Sequence, residues 1–155
     1  MARTALDLTA EERKLKALER FTEMLITGPY GGQVAKIILF GSLAKGEARP
    51  ESDIDVLVFS FDGLEDLRDA CAEAAFEVAV ETGEGVESLV YPLSEYFNPR
   101  TYFTYRASRF GKEVFSVAEQ ELKRREVSAQ RELAEVYLAG ARRAFEAGDL
   151  RIAID

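Results

Sequence analysis

The stretch FGSLAKGEARPESDIDV, residues 40–56, decides how this chain is read. It follows the apolar, β-branched run Val34–Phe40, which has the composition of a buried strand. Gly41-Ser42 comes directly after that run. A glycine there lets the backbone approach a ligand closely, and free N–H groups at a helix start hold phosphate. Asp53 and Asp55 flank one residue at the start of a second apolar run, 54–61, with VLVFS at its heart. Side chains two apart on a strand share a face. Two carboxylates aimed at one spot repel each other unless a cation neutralises them. The loop between the runs is short, with room for one helical turn, which favours antiparallel neighbours and brings Ser42 near Asp53.

The rest of the chain supplies the scaffold. Thr9 and Glu12 have the spacing of a capping box. Leu15, Leu18, Phe21 and Leu25 then recur at helical spacing until Gly28-Pro29. Residues 30–33 form a turn. Asp62-Gly63 opens a helix to about Thr82, with Leu64, Leu67, Cys71, Ala74, Ala75 and Val78 inward, and Gly83 and Gly85 end it. Residues 86–91 form a third strand. Residues 92–99 connect, with Ser94 as the cap of a short helix. Residues 100–111 are helical, and 113–116 form a short fourth strand. The expected fold is α+β, with a mixed sheet of three to four strands packed with helices.

From Ala118 the chain is helical, most strongly over 128–147. The predicted division is 1–120 and a helical extension, 121–155. Leu133, Val136, Tyr137, Gly140, Ala141 and Ala144 make one apolar stripe, flanked by Leu138 and Phe145. So wide a face needs cover. The sequence ends eight residues after Ala147, so a following helix in this chain is not expected to supply the cover.

Composition narrows the chemistry. The 155 residues are 47% hydrophobic and 31% charged, as in an ordinary globular domain. Net charge is −8, which argues against a non-specific nucleic-acid ligand, whose binding rests on basic surface. No apolar run is long enough to span a bilayer, and residues 1–7 lack the core of a secretion signal, so a cytoplasmic location is expected. Cys71 is the single cysteine, so no internal disulfide forms, and its alanine-rich surroundings read as a packed helix face. There is no histidine, which removes His-based triads and most zinc sites. A metal here is held by oxygen, which favours Mg²⁺, Mn²⁺ or Ca²⁺.

A phosphate grip beside a cation site is what nucleotidyl transfer requires. Charge crowds onto the α-phosphate and the leaving pyrophosphate, and metal ions neutralise it and align the attack. Asp53 and Asp55 suffice for a nucleotide-bound metal, because Mg²⁺ commonly takes one or two carboxylates plus substrate phosphates. A second metal needs another carboxylate. Glu87 in the third strand is the candidate, with Glu84 as the alternative. Lys45 and Arg49 lie on the loop, where they can steer a triphosphate. Ser52 caps or orients Asp53. Tyr102, Tyr105, Phe97 and Phe103 offer rings to stack on a base, or core packing instead. Each feature alone has a plain structural reading; the conjunction carries the site.

Gly41-Ser42, ten residues, then Asp53-x-Asp55 resembles the GS-x10-DxD signature of the DNA polymerase β-like nucleotidyltransferase superfamily. Ala44-Lys45-Gly46 and Ser52-Asp53-Ile54-Asp55 are similar to its minimal (MNT) branch. The resemblance is close over 34–60 and looser to Val117. It implies ATP or another NTP as donor and two Mg²⁺ ions. It also implies Asp53 and Asp55 as metal ligands, Gly41 and Ser42 as phosphate contacts, and a third carboxylate on a later strand, assigned to Glu87. Two departures stand out: Lys45 replaces a frequent arginine, and the third strand offers no aspartate. A larger C-terminal substrate domain, usual in aminoglycoside-type members, is not expected here.

The tail LAEVYLAGARRAFEAGDLRIAID, residues 133–155, is similar to the first helix of a HEPN domain. That resemblance implies a HEPN-domain partner, with this chain as the antitoxin part of a HEPN/MNT pair, as a fragment of a longer fusion or as a protein with a docking helix. Packing on its own domain and homo-oligomer formation are the other readings of the same helix. The HEPN Arg-x4-6-His motif cannot occur in this histidine-free chain. A non-catalytic MNT-fold module that neutralises such a partner by contact is the alternative to catalysis.

Overall fold

The computed structural model describes residues 8–148. The stretch 1–7 and the last seven residues of the tail, 149–155, on which the readings of a secretion signal and of a HEPN-like helix partly fell, lie outside the described residues. The described residues form two compact units, divided between Val117 and Ala118.

The first unit opens with α1 (Ala10–Thr27), whose N-terminus carries the expected capping box. The Thr9 hydroxyl accepts from the Glu12 amide, and the Glu12 carboxylate accepts from the Thr9 amide. Its inward face is Lys14, Ala17, Leu18, Phe21 and Leu25. Leu15, expected inward, is 45% exposed. The 14–18–21–25 spacing follows the helical period more closely and places Lys14 in the core instead.

A 3₁₀ turn, Gly31–Gln33, leads into β1 (Val34–Phe40). One helical turn, α2 (Gly41–Ala44), and a loop reach β2 (Ile54–Ser60). Then come α3 (Leu64–Thr82), β3 (Val86–Pro92), α4 (Leu93–Phe97), α5 (Tyr102–Phe110) and β4 (Lys112–Ser116). Pro92, rather than Ser94, stands at the N-cap of α4, and no side chain caps it. Ser94 instead sits inside the turn, where its carbonyl accepts from the Asn98 amide. The N-cap of α5 is Thr101, whose hydroxyl accepts from the Thr104 amide.

The sheet is mixed, in the order β3-β2-β1-β4. β1 is antiparallel to both β2 and β4, whereas β2 and β3 are parallel and joined by α3 as the crossover. β1 and β2 are central and largely buried on both faces, which explains why they are mostly apolar rather than alternating. One face packs under α1 and α3, through Phe21, Leu25, Val34, Ile37, Leu39, Val56, Val58, Leu67, Cys71 and Val78. On the other, Phe59 meets Tyr96 of α4 and Phe40 meets Phe103 of α5, edge to face. Cys71 is buried, and that burial pushes its thiol up to about 11.

The second unit is α6 (Glu119–Glu146). Leu133, Val136, Tyr137, Leu138 and Phe145 along it are each more than half exposed, whereas Ala144 is buried. No helix among the described residues is long and apolar enough to cross a membrane.

Candidate active site

The end of β1 turns sharply into α2 at Gly41, whose φ of +73° is a backbone state that side chains disfavour. Its absent side chain serves a second purpose. A Cβ at Gly41 would overlap Asp55 Oδ2, so the carboxylate rests directly on the glycine backbone. Asp53 lies against a glycine too, since a Cβ at Gly85 would overlap Asp53 Oδ1. The Ile54 amide between the two aspartates donates to the Gly85 carbonyl at 2.8 Å. The entry to β2 is thereby fastened to the entry of β3.

Strand register sets Glu87 beside Asp55. Asp55 is the register partner of Phe40 on one side and of Glu87 on the other. Direct partners on neighbouring strands present side chains on the same face. The parallel crossover is what aligns them: Ile54 pairs with Val86, and each following pair keeps step through Ser60 and Pro92. Asp55 is half-buried, and Asp53 and Glu87 are exposed. Burial holds the Asp55 carboxyl above its ordinary value, and the negative charges of Glu87 and then Asp53 push it the same way.

Among the described residues no group of three or more carboxylates or thiols is placed to hold a metal ion together. The residues fit a hard divalent cation all the same. Every available donor is an oxygen, and the mutual repulsion at Asp55 is the kind that a cation relieves. Mg²⁺ in particular completes its shell with water and substrate phosphates rather than with an all-protein cage.

The other expected site residues divide. The Ser42 carbonyl accepts from the Lys45 and Glu47 amides, which folds the loop back on α2 beside Gly41. The Ser52 hydroxyl accepts from the Arg49 amide and ties the loop to itself, so its recorded bond goes to Arg49 and not to Asp53. Glu84 is buried, with Lys14 at 2.5 Å and Arg13 at 3.4 Å, and is engaged away from the aspartates. Lys45 lines a pocket of about 240 Å³ that starts at Phe40 and Gly41 and runs along α5. Of the four rings offered for stacking, Phe103 lines it, and Phe97, Tyr102 and Tyr105 do not. Phe97 packs on Tyr96 instead.

Sequence reading missed two residues. Arg106 lines the same pocket, with its guanidinium 4.8 Å from the Phe110 ring and 5.9 Å from the Tyr102 ring. The 102–106–110 spacing, one residue per helical turn, was the available signal. Lys14 was the other, and nothing local marked it, because its partner Glu84 lies 70 residues away.

The model of a family described as nucleotidyltransferase domain matches residues 16–132. This chain belongs to that family. The nucleotidyltransferase is 33% identical over 90 residues to a Methanocaldococcus jannaschii protein named "putative protein adenylyltransferase", over 58% of this chain and 84% of that one. Among solved structures, one similar chain comes from a mutant of the toxin–antitoxin pair MntA-HpeT. It has 17% identity and a TM-score of 0.47, with 88% of this chain and 98% of that one covered. Another comes from a toxin–antitoxin crystal structure with AMP-PNP, at 20% identity and a TM-score of 0.45, covering 90% and 98%.

Proposed function

We propose that this nucleotidyltransferase moves AMP from ATP to a hydroxyl on a protein or small molecule, with Mg²⁺ held by Asp53, Asp55 and Glu87. One observation carries the reading: Asp55 lies against Gly41, at the corner offered as a phosphate grip, while register sets Glu87 beside it. Asp53 and Asp55 hold the nucleotide-bound ion, and Glu87 shares in a second ion and orients the acceptor. Bound Mg²⁺ supplies positive charge to the α-phosphate and the departing pyrophosphate.

The chain's own groups do the rest. The backbone at Gly41 and Ser42 receives the β- and γ-phosphates. Lys45 and Arg106 line the pocket that opens beside that corner, where their charge attracts the nucleotide. Phe103 and Phe110 offer apolar ring surface to a base. The acceptor oxygen forms its bond to the α-phosphorus as the bond to the bridging oxygen breaks. The hydroxyl proton leaves toward Glu87, and pyrophosphate is released. An AMP acceptor on a protein fits the name of the archaeal relative. A cytoplasmic location, where ATP and Mg²⁺ are abundant, fits this reading.

Incubation with labelled ATP, Mg²⁺ and candidate acceptors tests this. Transfer by the wild type, lost by more than about 100-fold in Asp53→Ala and Asp55→Ala, supports it. Calorimetry that finds no binding of Mg²⁺-ATP to the wild type ends it.

The exposed apolar residues of α6 favour a second reading, in which the chain also docks a helical partner. Residues 121–155 then act as a docking extension, and the partner is a HEPN-type toxin or a second copy of this chain. The similar toxin–antitoxin chains lend their names to this reading and nothing more. Co-purification with a helical partner that survives Asp53→Asn would favour contact over catalysis.

A further inference from the structure

Lys14 is among the largest fully buried side chains of the described residues, at 0% exposure, and it is a cation. Its ammonium has three hydrogens and meets three acceptors. These are the Pro50 carbonyl at 3.2 Å, the Ser52 carbonyl at 2.5 Å and Glu84 Oε2 at 2.5 Å. Two of the three belong to the loop that ends at Asp53. The third belongs to the residue before Gly85, the glycine on which Asp53 rests. Arg13 adds a second cation to the same carboxylate at 3.4 Å.

Burying an ammonium and a carboxylate is expensive, and an apolar pair of similar volume would fill the space without that penalty. The geometry shows what the ion pair does that an apolar pair would not. One nitrogen joins the starts of β2 and β3 to α1, at the level where Asp53, Asp55 and Glu87 enter the sheet. Directional bonds fix that loop's height against the strands, whereas apolar packing leaves it free to slide.

We propose that Lys14, through Glu84 and the 50–52 loop, is a positioning residue that sets Asp53 against Asp55 and Glu87. The inference rests on the functional reading above for its purpose, although the clamp itself is a matter of structure. Lys14 acts through backbone carbonyls that carry the aspartate, much as outer partners of a metal ligand tune affinity by orienting it.

The decisive variant is Lys14→Met/Glu84→Gln, which strands no buried charge and keeps an acceptor for Arg13. Circular dichroism confirms its fold, and two quantities are then read. The first is amide hydrogen exchange at Ile54 and through residues 51–53, compared with the centre of β1. The second is affinity for Mn²⁺ alone, by electron paramagnetic resonance. Exchange at Ile54 and the loop is expected to quicken and Mn²⁺ affinity to fall, each by about tenfold, with β1 unchanged. A folded double variant with wild-type exchange and wild-type Mn²⁺ affinity overturns the proposal. If the double variant fails to fold, Lys14→Arg carries the same readouts, because it keeps the charge but spreads its donors in a plane; wild-type values there overturn the proposal equally. A wild type that binds no Mn²⁺, alone or with a non-hydrolysable ATP analogue, refutes the functional reading instead, and the exchange comparison still decides whether Lys14 is a clamp.

Discussion

At the scale of single residues, Gly41 is constrained twice, by its positive φ and by the Asp55 oxygen where a side chain would begin. Gly41→Ala should lose about 1–3 kcal/mol of stability in chemical denaturation, and it should lose nucleotide transfer even where the protein folds. Asp55 makes the opposite case. Its carboxyl is raised above 3.8 by burial, Glu87 and Asp53, so the folded state binds that proton more tightly than the unfolded chain does. The resulting stability is fully present below 3.8 and is lost as pH rises through the raised value. Asp55→Asn copies the protonated form. In EDTA at neutral pH it should melt roughly 1–3 °C higher than the wild type, and added Mg²⁺ should raise only the wild type. Cys71, buried with its thiol pushed up to about 11, should resist alkylation at pH 8 until the protein is denatured.

At the scale of elements, the strands and their partners were legible because their signals are local. The apolar run Val34–Phe40, the short loop and the run from Ile54 determine an antiparallel pair, and the structure has one. The capping box of α1 was equally plain. What local pattern could not show was a charge pointing inward. Lys14 reads as one more surface lysine until Glu84, 70 residues away, comes to meet it. Glu95 is a similar case, buried in α4 and bonded to the Arg100 amide, the Arg100 guanidinium and the Thr104 hydroxyl. It thereby holds the start of α5, the helix whose rings line the pocket. Arg100, by hydrogen bonding through side chain and backbone, keeps this carboxyl below 4.5. The stability it contributes is present above 4.5 and fades as pH falls through the lower folded value. Glu95→Gln should therefore cost about 1–2 kcal/mol at pH 7, measured by urea denaturation, with the deficit shrinking in acid.

At the scale of the whole molecule, the sequence conveyed the α+β class and the acidic pair, because each rests on spacing within a few residues. Placing Glu87 needed the full crossover. A one-residue slip between β2 and β3 would have turned it to the opposite face, and nothing within 86–91 fixes that register. The pocket beside Gly41 is non-local as well, since α5 contributes Phe103, Arg106, Ala107 and Phe110 to its wall. The apolar stripe of α6 reads as needing cover, and Leu133, Val136, Tyr137, Leu138 and Phe145 along it are exposed. Val136→Ser and Phe145→Ser should then leave the melting temperature within about a degree of wild type while reducing binding of a hydrophobic dye, because little burial is lost on either change.

The sheet's mixed connectivity also sets an order of events during folding. The β1–β2 hairpin closes through a short loop, and so Asp55 reaches Gly41 early. Glu87 arrives only after the nineteen residues of α3 have crossed back over the sheet. Non-local pairing of that kind is slow, because the ends of a long segment must meet before any contact rewards them. A refolding chain should thus pass through an interval in which Asp55 is in place against Gly41, while Glu87 and the Gly85 on which Asp53 rests are not. Cation affinity should mature with the last kinetic phase rather than the first.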